Sequence, residues 1–195
     1  MKKDRFKVMC VVLAGLLCVL AACAAPTDRL SPEEIEALRE TYPLCGYPDL
    51  VSGNWNVPLE ERIERADTFV YGEVRGDVQY YTKDVALSTV EFYAYTLSVL
   101  ADSEGLYEKG TEITLHSNIL LKNMTPELQD GMRVLVAFKA ETEDENRSSI
   151  PPRSLFYVTE DGYVLSSFNE AATGTKIPLS GMPVEEALKV LRKNQ

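Results

Sequence analysis

The sequence predicts a mainly β fold with flanking helices: a barrel of five to six strands, with short N-terminal and C-terminal helices. Three observations predict it. The apolar period changes from helical to alternating at Asp67 and stays mostly alternating to Phe168. The alternating runs are rich in Val, Tyr, Phe and Thr and are separated by Gly, Pro and Asp. Helical spacing is otherwise confined to the two ends, apart from one short segment at residues 125–131.

Composition agrees with one folded domain carrying appendages. The chain has 195 residues, of which 45% are hydrophobic, and ordinary Gly and Pro content excludes global disorder and collagen-like repeats. A formal net charge of −10 argues against nucleic acid as a partner, because that affinity rests on cationic neutralisation of phosphates.

Lys2, Lys3, Arg5 and Lys7 precede an apolar run of 15 residues, Val8 to Ala22. About 20 residues are needed to span a bilayer as a helix, so the run reads as the core of a secretory signal. It ends in Leu20-Ala21-Ala22-Cys23, which resembles the lipobox of bacterial lipoprotein precursors. The resemblance implies that residues 1–22 are a signal peptide and that Cys23 becomes the lipidated first residue of an exported, membrane-anchored protein. Without residues 1–22 the chain keeps 16 Lys+Arg and 29 Asp+Glu, a net charge of −13. Cys10 and Cys18 leave with the signal, so Cys45 is the one free thiol and no internal disulfide forms.

Residues 23–30 read as a lipid-anchored tether, and 31–56 as a helix followed by an irregular segment. Ser31-Pro32-Glu33-Glu34 is a helix start, with Ser31 as cap, Pro32 in the first turn and Glu34 closing a capping box. Pro43, Gly46, Pro48 and Gly53 break up the stretch after that helix, and a second short helix is expected over residues 58–66. Strands are expected at 67–75, 89–100, 111–116 and 132–140, with a bulge or a shared strand in the long 89–100 run. Thr125-Pro126-Glu127 is expected to open a short helix ended by Gly131. Residues 153–160 and 163–168 flank Asp161-Gly162, read as a two-residue hairpin turn. Residues 169–195 form a C-terminal loop and a helix with Val184, Leu188 and Leu191 on one face.

Strand, long strand, strand, short helix, strand and closing strand is the order of an OB-like barrel, assigned to residues 57–168. Leu59 to Asp67 leading into Val70-Tyr71-Gly72-Glu73-Val74 resembles the entry of OB-fold modules in exported bacterial lipoproteins. Tyr95 to Val99, Gly110 to Thr114 and Leu128 to Val136 continue the pattern. These modules are similar in layout to the netrin and metalloproteinase-inhibitor domains of animals. The animal domains are disulfide-rich and this chain is not, so the resemblance implies a fold and no activity.

Catalytic signatures are sparse. The single histidine, His116, is expected on the exposed polar face of a short strand beside Ser117. Gly105 to Thr111 has the glycine spacing of a phosphate loop but lacks its Lys and its following helix. Glu141, Glu143, Asp144 and Glu145 lack the central Gly of a calcium loop and read as a solvated tip. No cofactor and no metal is expected.

Aromatics are the remaining candidates, because OB-like barrels commonly hold ligands by stacking on a barrel face. Trp55, Tyr71, Tyr93 and Tyr95 are the candidate ligand-binding residues. The expected function is a lipid-anchored, extracytoplasmic, non-catalytic binding or interaction module of unknown ligand, with the membrane, through the Cys23 lipid, and an envelope protein or a cell-wall glycan as the expected partners. The alternatives are cell-wall oligosaccharide binding through the barrel face and, from another class, a carboxylate-based hydrolase.

Overall fold

The computed structural model describes residues 28–45, 58–85, 88–142, 144–150 and 154–193. The expected signal peptide (residues 1–22), Cys23 and Trp55 lie outside those residues. Among the described residues three short α-helices, α1 (Pro32–Ala37), α2 (Leu59–Arg65) and α3 (Val184–Val190), accompany seven strands. These are β1 (Thr68–Val85), β2 (Ser88–Asp102), β3 (Glu112–Asn118), β4 (Arg133–Phe138), β5 (Arg147–Ser149), β6 (Leu155–Val158) and β7 (Val164–Ser166). The sheet order is β5-β3-β2-β1-β4-β6-β7. Its ladders leave β5 and β7 as the two ends, so the sheet is open where five to six strands closed into a barrel were expected. No described helix is long and apolar enough to cross a membrane.

Local chemistry explains the starts of elements. The Ser31 hydroxyl accepts the Glu34 amide and the Glu34 carboxylate accepts the Ser31 amide, the reciprocal capping box read from the sequence. The helix expected at 125–131 does not form. A 3-10 helix, Ile119–Met124, occupies the preceding segment instead. Thr125 ends it, because a residue before Pro is driven to extended backbone, here φ −125° and ψ 150°. The β6–β7 loop is three residues long, since Val158 pairs with Val164 and the Thr159 amide donates to the Tyr163 carbonyl. Gly162, at φ +84°, supplies the left-handed residue that such a loop requires.

β1 is longer than its sequence pattern, which stops at Arg75. Arg75 pairs with Thr96 and Gln79 with Ala94, so two extra residues of β1 are accommodated around Gly76, where φ is +70°. Thr68 to Glu73 pair with both β2 and β4 for most of their length; from Gln79 to Val85 the described pairing is with β2 alone. A second irregularity lies between Tyr71 and Gly72. A Cβ on Gly72 would lie 3.1 Å from the Ser98 carbonyl oxygen and 3.3 Å from the Leu97 Cβ, tighter than ordinary contact, so a larger residue there needs β2 to give way slightly.

The sheet carries a core on each face, and alternation in β4 feeds both. Leu135 and Ala137 join Phe69, Phe156, Phe168, Leu179 and the apolar sides of α2 and α3. Val134, Val136 and Phe138 join Val70, Val74, Tyr93, Tyr95, Leu97, Ile113, Leu115 and Leu155. None of the three α-helices contributes to this second core, yet its side chains are buried, so the sheet curls around it and the segment after β3 closes it.

Residues 29–45 form a strap along the β7 side. Leu30 donates its amide to the Gly181 carbonyl, Cys45 to the Ser167 carbonyl, and Arg39 its guanidinium to the Ser166 carbonyl. Gly181 has φ +82°, and a Cβ there would sit 2.9 Å from Ile35 Cδ1, so the strap docks against bare backbone.

Candidate functional site

Two places in the molecule gather polar and aromatic side chains. The first is an open cleft of about 600 Å3 lined by Thr41, Tyr42, Asp130, Gly131, Met132, Arg133, Val158 and Glu160. It exists because the strap turns at Thr41–Tyr42 beside the start of β4 and the end of β6. The Tyr42 ring packs on Tyr157 with centroids 5.4 Å apart, and the Tyr157 hydroxyl donates to the Pro43 carbonyl, which fixes the strap at this wall. Burial pushes the Tyr42 hydroxyl up, and the negative charge of Glu160 adds to it, while a hydrogen bond to the Glu160 backbone acts the other way.

Arg133 forms the opposite side of the cleft. Its Nε lies 3.6 Å from Glu73, which in turn meets Arg75 at 2.7 Å, so three charges run in line along the strand edge. Tyr71 joins this row. Burial raises its hydroxyl, and the neighbouring Arg133 charge and hydrogen bond oppose that rise. Asp130 is oriented by accepting the Gly76 amide at 2.6 Å, so the same bulge that bends β1 also positions a cleft carboxylate.

The second place is built around His116. Its expected position on an exposed strand face is not what forms: the residue is buried, because Tyr81 from the outer half of β1 and Glu141 from the β4–β5 connection pack against it. Its Nδ1 lies 2.9 Å from the Tyr81 hydroxyl and its Nε2 lies 2.5 Å from Glu141. Arg147 donates to the Tyr81 oxygen, its Nε lies 3.7 Å from Glu141, and its guanidinium carbon sits 5.0 Å from the Tyr81 ring centroid. Phe92 stacks on Tyr81 at 5.4 Å and 15°.

With the ring proton placed on Nε2, that nitrogen donates to Glu141 and Nδ1 accepts the Tyr81 hydroxyl proton, while the Tyr81 oxygen accepts from Arg147. The buried Arg147 Nε has no hydrogen-bond partner among the described residues. A carboxylate, an imidazole and a hydroxyl in series are the parts of a proton relay. Here the terminal hydroxyl belongs to Tyr81, with Phe92 stacked on its ring and Arg147 donating to its oxygen. What the four side chains do is clamp three chain segments together.

The aromatics nominated from sequence separate into different environments. Tyr93 and Tyr95 are 0% and 2% exposed, with rings edge to face at 5.8 Å. The Tyr93 hydroxyl meets the Thr125 hydroxyl at 2.6 Å, and the Tyr95 hydroxyl accepts the Leu128 amide. Neither ring offers a face to solvent, because the curled sheet encloses both. Tyr71 is half-buried and stands beside the cleft through Arg133. Trp55 and Cys23 fall outside the described residues.

Sequence reasoning missed Tyr42 and Arg133, and also Tyr81, Glu141 and Arg147. Their spacing carries no signal: Tyr42 reaches the cleft only through strap docking, and 66 residues separate Tyr81 from Arg147. Burial pushes the Cys45 thiol up to about 11, with a Ser167 hydrogen bond opposing the rise, so it stays protonated near neutral pH. Among the described residues no group of three His, Cys, Asp or Glu side chains is arranged to hold a metal ion. No protein-family model matches the chain, and no curated protein matches it.

Proposed function

We propose that this chain is a lipid-anchored, extracytoplasmic binding module that acts without catalysis, and that the cleft beside β4 is its ligand site. The Leu20-Ala21-Ala22-Cys23 motif supports the anchor and the export that precedes it. The observation that carries the binding reading is the makeup of the cleft. One aromatic ring, one guanidinium and two carboxylates surround an open volume of about 600 Å3. A hydroxyl-rich ligand matches such walls: a ring face packs on Tyr42, and hydroxyls bond to Arg133, Asp130 and Glu160. This favours a cell-wall oligosaccharide over a flat protein partner.

The OB-like architecture belongs to the same proposal. β5 runs parallel to β3, and the Glu141 amide donates to the Arg147 carbonyl, which brings β5 beside the exit of β4. Curling around one core and this near-approach of β5 to β4 support a barrel-like module of the kind found in exported lipoproteins.

Titration of the chain with soluble peptidoglycan oligosaccharides, with backbone amide shifts as the readout, tests the site. Shifts centred on Thr41, Tyr42, Gly131 and Arg133, with at least about tenfold weaker binding in Tyr42→Ala, are expected. Shifts elsewhere, or none, overturn the glycan reading. Release of shorter sugars that disappears in Glu160→Gln would replace the module with a hydrolase.

A further inference from the structure

We infer that the loop at residues 175–178, together with Arg29, is the face of the domain that rests on the bilayer. The inference depends on lipidation at Cys23, the anchor proposed for this chain. Six residue steps separate Cys23 from Arg29, about 20 Å even at full extension. Whatever Arg29 touches is therefore held close to the headgroup layer. Arg29 donates its guanidinium to the Pro178 carbonyl, and the next residue, Leu30, donates its amide to the Gly181 carbonyl at 2.8 Å. The anchor thus leads directly onto this loop.

The chemistry of the loop suits a lipid headgroup layer. Ile177 is 46% exposed, one of few large apolar side chains turned to solvent. Lys176 and Arg29, both exposed, flank it in a protein whose charge after loss of residues 1–22 is −13. Two cations reaching lipid phosphates and one aliphatic side chain entering the interface form a small amphipathic contact. The Lys176 amide is held by the Glu60 carboxylate, so the loop tip is fixed to α2. Asp28, Glu33 and Glu36 are exposed nearby in the chain, and their repulsion from anionic lipid confines the contact to the loop tip. Of the more exposed aliphatic side chains, Leu120 at 82%, with Tyr80 and Lys122, comes after β3, and Leu106 at 60% lies between β2 and β3, both on the side of the sheet order away from β7. Leu44 at 45% lies at the far end of the strap from Arg29.

The test uses residues 23–195 carrying Cys45→Ser, coupled through the Cys23 thiol to a maleimide lipid in phosphatidylcholine nanodiscs containing some phosphatidylglycerol. A gadolinium-chelating lipid then broadens amide signals according to their distance from the surface. The expected result is strongest broadening at Arg29, Lys176 and Ile177, reduced at least twofold in Lys176→Glu/Ile177→Ser. Uniform broadening, or strongest broadening at Tyr80 and Leu120, overturns the orientation. Failure of the anchor reading is seen separately, as no fatty-acid label entering the wild-type chain in cells. Because the nanodisc tether is chemical, its result does not depend on that labelling.

Discussion

The two halves of β1 are held by different physics. From Thr68 to Val74 the strand has neighbours on both sides, and Phe69 and Val70 point into the two opposite cores, at 1% and 0% exposure. From Gln79 to Val85 the described pairing is with β2 alone, and Tyr81 is fastened by His116, Glu141 and Arg147. The inner half rests on apolar burial, which is strong and indifferent to pH. The outer half rests on hydrogen bonds and charges, which are directional and sensitive to the loss of a single partner. The bulge at Gly76 is the boundary, so one continuous strand serves as core on one side and as a clamped arm on the other.

Breaking the core tests the inner half and has the largest expected effect. Leu135→Ala removes a side chain with no exposed surface, opposite Tyr71 on β1, and should cost about 2–5 kcal/mol of global stability. Denaturant unfolding checks this, and the loss should appear in every amide of the sheet.

His116→Ala sharpens the contrast. It leaves Tyr81 and Glu141 without their shared partner and should cost roughly 1–3 kcal/mol. Hydrogen exchange should quicken at Gln79–Asp84 and in β5 beside Thr114–His116, while Phe69–Val74 keep their protection. Equal loss in both halves would mean that β1 opens as one unit.

The smallest effect concerns acid. Asp102 ends β2 and ties the adjoining loop to the start of β1. Burial by itself raises its carboxyl. The amides of Leu106 and Tyr107, the Thr68 hydroxyl and the Glu104 amide together outweigh burial and hold it below its ordinary value of 3.8. A group depressed in the folded state contributes stability that is full above its unfolded pKa and is lost as pH falls through the folded one. Thermal unfolding of the wild type should therefore weaken below about pH 4, and Asp102→Asn should flatten that slope.

Much of this was legible one segment at a time. Ser31 and Glu34 cap α1 from within four residues, Leu59 and Ile63 mark α2, and the alternation of Val134, Val136 and Phe138 marks one face of β4. The polar clamp was not legible, because His116 looks like an ordinary solvent-facing strand residue until Tyr81 and Glu141 arrive from 35 and 25 positions away. The same holds for the cleft. Tyr42 comes after a helix in the sequence and becomes a wall only because Cys45 and Arg39 tie the strap to Ser167 and Ser166.

The sequence by itself determined the Leu20-Ala21-Ala22-Cys23 run, the starts of α1, α2 and α3, most of the strand runs and the negative charge, because each is written in neighbouring residues and needs no distant contact. The tertiary structure alone decided which tyrosines are enclosed, where β1 bends, that the ladders stay open and that His116 is buried. Those outcomes depend on how a curled sheet places residues far apart in the chain against one another. Alternation says that a side chain faces one side of a strand; it does not say whether another strand covers that side.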